Sequence, residues 1–203
     1  MVKKSVIKEI DKTIKEIWKE NIQKDYWNDY LDREDTLKCA LYYHMRKKLS
    51  RILQENNLRI YTEYTFSEPK YRADIIIVEI DPNMDYDGLD NAVVSFVALF
   101  ELKFTSGNDI RTEEWVKKDF WKFKDYLNYA GLDDCQFYFA TIYEVDCEYL
   151  SWLDARSTNN WASGRVTELD SGIIDGEMLF EVHSYNGMNV DMNDNGAAWG
   201  DFT

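Results

Sequence analysis

The chain is short of the residues that usually cross-link a fold or ligate soft metals. It has three cysteines, two histidines and two prolines in 203 residues. Cys39, Cys135 and Cys147 are unevenly spaced and form no close pair, which predicts a reducing compartment and no zinc site. His44 and His183 are too few for a histidine-based metal cluster. No apolar run approaches the roughly eighteen residues that a transmembrane helix needs. The opening Met1-Val2-Lys3-Lys4 is not followed by the hydrophobic block of a secretory leader. These absences predict a cytoplasmic protein with no membrane association. A Gly-rich phosphate loop, a nucleophile elbow and internal repeats are also missing, which removes the commonest nucleotide-binding and acyl-transfer signatures.

Positive charge is scarce as well. The net charge is −14, with 24 basic against 38 acidic residues, which argues against a generic nucleic-acid binder. The distribution is uneven. Residues 1–51 hold 13 basic and 9 acidic residues, a net of +4, whereas residues 52–203 hold 11 and 29, a net of −18. Any phosphate-facing groove must therefore be built from particular segments.

What the chain does have is one unusual stretch, Arg72 to Phe104. Arg72-Ala73-Asp74-Ile75-Ile76-Ile77-Val78-Glu79-Ile80 and Val93-Val94-Ser95-Phe96-Val97-Ala98-Leu99-Phe100-Glu101-Leu102-Lys103-Phe104 are two nearly continuous apolar runs. Between them lies a loop rich in Asp, Asn, Gly and Pro, from Asp81 to Asn91. This predicts a β-hairpin whose strands are covered on both faces. Asp74, Glu101 and Lys103 sit inside these runs, where an unpaired charge is costly.

Side chains alternate along a strand, so Glu101 and Lys103 share one face and Leu102 takes the other. If Asp74 lies on the antiparallel neighbour, two carboxylates and an ammonium meet. Two carboxylates at one site repel unless a cation joins them. A hard divalent ion such as Mg²⁺ suits an all-oxygen site with room for water and phosphate. Such an ion can polarise a phosphoryl oxygen and acidify bound water. A lysine beside it can orient or deprotonate that water, or stabilise the negative transition state.

Asp74 followed by Glu101-Leu102-Lys103 resembles the signature of the PD-(D/E)XK superfamily, the restriction-endonuclease-like nucleases. Ala73 stands where the family often has proline, and the 27-residue step from Asp74 to Glu101 is longer than usual. The resemblance covers roughly residues 33–143. It implies an α/β fold with a mixed central sheet flanked by helices. It also implies Mg²⁺ or Mn²⁺ as cofactor, Asp74 and Glu101 as metal ligands, Lys103 as catalytic lysine, and the Leu102 carbonyl as a further ligand. Many members add a glutamate from the preceding helix. Glu34 fits that position best, and Glu63, on the strand leading in, is a second candidate.

The rest of the chain supports the same order of elements. Ile7, Ile10, Ile14, Ile17 and Trp18 predict a lysine-rich helix over residues 2–24. Leu37, Leu41, Met45, Leu49 and Ile52 predict a second over 33–55, capped by Asp32 or Asp35. Leu58 to Phe66 reads as a strand, closed by a Ser67–Lys70 turn. A helix over 112–130, ended by Gly131, carries Val116, Phe120, Phe123 and Leu127 as its core stripe. Arg111 before that helix, with Lys118 and Lys122 on it, is a candidate nucleic-acid-facing flank. Gln136–Tyr143 and Met178–Tyr185 read as further strands. His44 reads as a core histidine.

Three sections are expected: an N-terminal helix and connector (1–32), a nuclease-like core (33–143) and an acidic, aromatic-rich section (144–203). The last holds 12 acidic and 2 basic residues and includes Trp152, Trp161 and Trp199. It could complete the sheet, contact a second copy, or cover the cleft. Asp191 to Gly196 matches the opening of an EF-hand loop, but Phe202 stands where a bidentate glutamate is required. It therefore reads as a turn.

The function expected is a metal-dependent nuclease, with DNA as the favoured substrate and a homodimer as a possible assembly. A rival expectation comes from the charge beyond residue 51. The same fold could be a catalytically inactive module whose acidic C-terminal section binds or inhibits a basic protein partner.

Overall fold

The sequence periodicities resolve into three layers in the computed structural model, which describes residues 2–66, 71–83, 92–106, 110–127, 132–153, 162 and 164–185. The helices are α1 (Lys4–Glu16), α2 (Gln23–Trp27), α3 (Glu34–Lys48), α4 (Ser50–Glu55) and α5 (Ile110–Tyr126). The strands are β1 (Leu58–Thr65), β2 (Arg72–Ile80), β3 (Val93–Thr105), β4 (Gln136–Asp146), β5 (Val166–Ile174) and β6 (Glu177–Ser184). They form one six-stranded sheet in the order β1-β2-β3-β4-β5-β6. The β3–β4 and β4–β5 pairs are parallel and the other three antiparallel. The chain is thus a mixed α/β fold with a mixed central sheet flanked by helices.

Strand alternation splits the core in two. Ile75, Ile77, Phe100 and Leu102 face α1, α3 and α4, where Ile10, Ile14, Leu37, Leu41 and Met45 meet them. Ile76, Val78 and Leu99 face the opposite side, where Val116, Phe123 and Tyr126 of α5 cover them. Central strands buried on both faces need continuous apolar runs, and this is why β2 and β3 lack polar alternation.

Several elements depart from the expectations. The first helix runs on to Trp27 through a π-helical turn at Ile17–Ile22, which buries Ile17, Trp18 and Ile22 together. The helix expected over 33–55 breaks at Leu49 (φ −92°, ψ 4°) into α3 and α4. Its start is held by Thr36, whose hydroxyl accepts the Arg33 N–H and donates to Asp32. Asp32 therefore acts through Thr36 instead of capping directly. His44 is half-buried and pairs with Asp25 at 2.7 Å. The acidic section supplies β5 and β6 to the common sheet.

Strand β5 has no counterpart in the sequence reading. Thr167, Glu168, Asp170 and Ser171 are all buried polar residues, so it presents neither alternation nor an apolar run. The hairpin tip at 84–91, the 67–70 turn, Gly107–Asp109, Gly131, Trp161, Trp199 and the Asp191–Gly196 turn lie outside the described residues. Among the described residues no helix is long and apolar enough to cross a membrane.

A buried ion pair docks α1 on the sheet. Lys15 and Asp11 meet at 2.8 Å, Tyr138 donates to Asp11 at 2.8 Å, and Lys15 donates to Ser184 at 2.7 Å. Burial, with Asp11 beside it, raises the Tyr138 pKa well above its ordinary value. Removing one member of a buried pair leaves the other uncompensated. Lys15→Met should therefore cost about 3–5 kcal/mol in urea unfolding. The Lys15→Met/Asp11→Leu double variant should recover much of that loss.

Candidate active site at the carboxyl end of β3

The site forms where β2 begins and β3 ends. The β2–β3 ladder pairs Ile77 with Ala98, Ile76 with Leu99 and Ile75 with Phe100. The next step of that register sets Asp74 beside Glu101. There the Asp74 side chain takes over from the backbone: its Oδ2 accepts the Leu102 N–H at 2.9 Å. On the other flank, β1 pairs Thr62 with Ile75 and Tyr64 with Ala73, leaving Glu63 across from Asp74. Glu63 has φ of 56°, a left-handed conformation that costs a non-glycine residue about 1–3 kcal/mol. Glu63, Asp74 and Glu101 thus form a row across three neighbouring strands.

Each carboxylate of the row has a cationic partner. Lys38 of α3 lies 3.2 Å from Asp74 Oδ1, makes a close pair with Glu63, and sits 3.9 Å from Asp35. Burial works against the Lys38 charge, but hydrogen bonds and charges from Glu63 and Asp74 leave its pKa above the ordinary value. The hydrogen bond from Lys38 lowers the Glu63 pKa against a smaller burial effect, with the charges of Lys38 and Arg72 adding to it. Glu101, only 3% exposed, accepts the Tyr126 hydroxyl at 3.0 Å and lies 3.6 Å from Lys122. Burial, then Glu101, raises the Tyr126 pKa. Lys103 donates to Glu34 at 3.1 Å.

The residues singled out from sequence therefore gather at one end of the sheet, but in two sets. Asp74 and Glu63 meet on Lys38, whereas Glu34 meets Lys103. Lys118 of α5 is exposed and Lys122 turns in to Glu101. Arg111 falls in α5, with its side chain outside the described residues. Among the described residues no three Asp, Glu, His or Cys groups converge as a metal cage. The donor chemistry nevertheless fits a hard divalent cation: the donors are oxygens on adjacent strands. A cation, the Lys38 ammonium, already lies on two of them.

Two side chains of this site escaped sequence reasoning. Lys38 follows Glu34 by one helical turn, and that i,i+4 spacing places both on one face of α3. Tyr126 carries no signal apart from its place at the end of an amphipathic helix.

A second polar cluster lies further along the sheet. Glu168 accepts from Ser151 (2.8 Å), Trp152 N (2.7 Å) and Leu153 N (3.1 Å), which ties residues 151–153 to β5. Asp170, 1% exposed, accepts from Thr141 at 2.9 Å and lies 3.9 Å from His183, which is 3.3 Å from Glu181. Burial raises the Glu168 pKa to about 7 against those hydrogen bonds. Burial, then the Glu168 charge, raises that of Asp170.

No protein-family model, no curated protein and no solved structure matches the chain.

A carboxyl group with a raised pKa stabilises the fold most below its unfolded value and loses that contribution as pH rises through the folded value. For Glu168 the window runs from 4.5 to about 7. Stability of the wild-type protein should fall across it. Asp170→Asn removes one of the two coupled charges. It should flatten the fall and raise stability at pH 8 by about 1 kcal/mol or more, measured by urea unfolding at each pH.

Proposed function

We propose that the chain is a metal-dependent nuclease hydrolysing phosphodiester bonds, with DNA as its favoured substrate, on a restriction-endonuclease-like fold. One observation carries this reading: Asp74 closes the β2–β3 ladder onto Leu102, between Glu101 and Lys103. A purely structural hairpin has little use for two carboxylates shielded from water at that point, Asp74 14% and Glu101 3% exposed, because burying such charges is costly. The carboxyl end of a parallel strand is also where open α/β sheets place their ligands.

Asp74, Glu101, the Leu102 carbonyl and either Glu34 or Glu63 would hold Mg²⁺ or Mn²⁺. When bound, the ion supplies charge for the phosphoryl oxygens and acidifies a water. The chain's own residues do the rest. Glu34 holds the Lys103 ammonium at 3.1 Å, and Lys103 would position the attacking water and meet the developing negative charge. The Tyr126 hydroxyl fixes the orientation of Glu101. Lys118 on α5, with Arg111 at its start, would meet the phosphate backbone as sequence-independent contacts, whereas Lys122 is turned in to Glu101. Cutting both strands of a duplex would call for two copies of the site, the reason to consider a homodimer.

A second reading has one observation in its favour. Asp74, Glu63 and Glu101 are already matched by Lys38 and Lys122, as in a site retired from catalysis. The chain would then be an acidic module for a basic protein partner.

Cleavage assays on supercoiled, linear, single-stranded and branched DNA separate the two readings. Cutting should need Mg²⁺ or Mn²⁺ and stop with EDTA. It should fall by at least about 100-fold in Lys103→Ala and vanish in Asp74→Asn, with both variants folded. Undiminished cutting in both variants would contradict the mechanism. No cutting on any substrate, with capture of a defined basic protein, would favour the second reading.

A further inference from the structure

The two oxygens of Asp74 are used differently. Oδ2 is committed to the Leu102 N–H at 2.9 Å, a bond that also closes the hairpin ladder. Oδ1 is the oxygen left for a ligand, and the Lys38 ammonium lies 3.2 Å from it. The same ammonium holds Glu63, whose left-handed backbone turns its carboxylate across from Asp74. The Lys38 side chain is only 12% exposed and Asp35 lies 3.9 Å behind it. Lys38 therefore sits on carboxylate oxygens that a divalent cation would need to approach to about 2.1 Å. A monovalent and a divalent cation on the same oxygen repel strongly, and weak solvent screening sharpens this. A lysine can leave such a position, because its charge rides on a flexible four-carbon stem.

We infer that Lys38 is a resident counter-cation of the Asp74 site, which balances the carboxylates in the metal-free protein and must swing off Asp74 when a divalent ion binds. This inference rests on the metal-site reading of Asp74. The lysine holds Asp74 and Glu63 together before the ion arrives and weakens the site for ions, so it sets the concentration at which the site loads.

The test uses Mn²⁺ alone as probe, on the full chain without substrate. Binding is followed by calorimetry and the melting temperature by circular dichroism. Lys38→Met keeps the stem and removes the charge. It should bind Mn²⁺ at least tenfold tighter than wild type and melt lower without metal, with Mn²⁺ restoring the difference. Lys38→Arg keeps the charge and should bind no tighter than wild type. If Lys38→Met does not fold alone, millimolar Mn²⁺ should fold it, and failure to do so overturns the inference. In the wild-type protein, acetic anhydride labelling of Lys38, read by mass spectrometry, should rise severalfold on adding Mn²⁺. Equal or weaker Mn²⁺ binding by Lys38→Met, with binding still lost in Asp74→Asn, overturns the role of Lys38 and leaves the metal site standing. Mn²⁺ binding that ignores Asp74→Asn in every background overturns both.

Discussion

Two carboxylates placed side by side at the end of a sheet constrain everything near them. The β2–β3 register sets Asp74 next to Glu101, and apolar packing on both faces of these strands leaves little water to screen them. Such a pair persists only with cations beside it. The surrounding structure meets that need from two sides. Helix α3 sends Lys38 to Asp74, and α5 sends Lys122 and the Tyr126 hydroxyl to Glu101. The docking of both helices is thus tied to the charge of the site as well as to hydrophobic burial.

The same logic is repeated elsewhere in the sheet with different outcomes. Asp11 and Lys15 form a closed pair whose hydrogen bonds reach β4 and β6, which fixes α1 in place. Glu168 is surrounded by donors and serves as an anchor for residues 151–153. Among the described residues, only the Asp74–Glu101 site combines lysines, carboxylates, a strained backbone position and the end of a parallel strand. That combination separates it from the structural polar clusters.

The central elements were legible in the sequence because their apolar patterns are strong. The continuous runs of β2 and β3 and the helical stripes of Leu37, Leu41 and Met45 leave little choice of structure. Asp74, Glu101 and Lys103 stood out for the same reason, as charges inside apolar runs. Strand β5 was not legible, since its buried positions are Thr167, Glu168, Asp170 and Ser171. Tertiary hydrogen bonds, not hydrophobicity, make that burial tolerable. Lys38 was hidden for a related reason. Its one local sign is the i,i+4 spacing from Glu34, and that spacing does not show that the side chain reaches across to β2. The π-helical turn at Ile17–Ile22 likewise answers to packing, since it brings Trp18 to the Asp170 carbonyl.

Metal-dependent hydrolysis here requires that a divalent ion occupy the Asp74–Glu101 site. Crystals soaked in Mn²⁺ and measured by anomalous diffraction give the answer most directly. The expected result is an anomalous peak between the Asp74 and Glu101 carboxylates and the Leu102 carbonyl, with the Lys38 ammonium displaced from Asp74. A saturating soak with no peak there, and Lys38 still seated on Asp74 and Glu63, would contradict it.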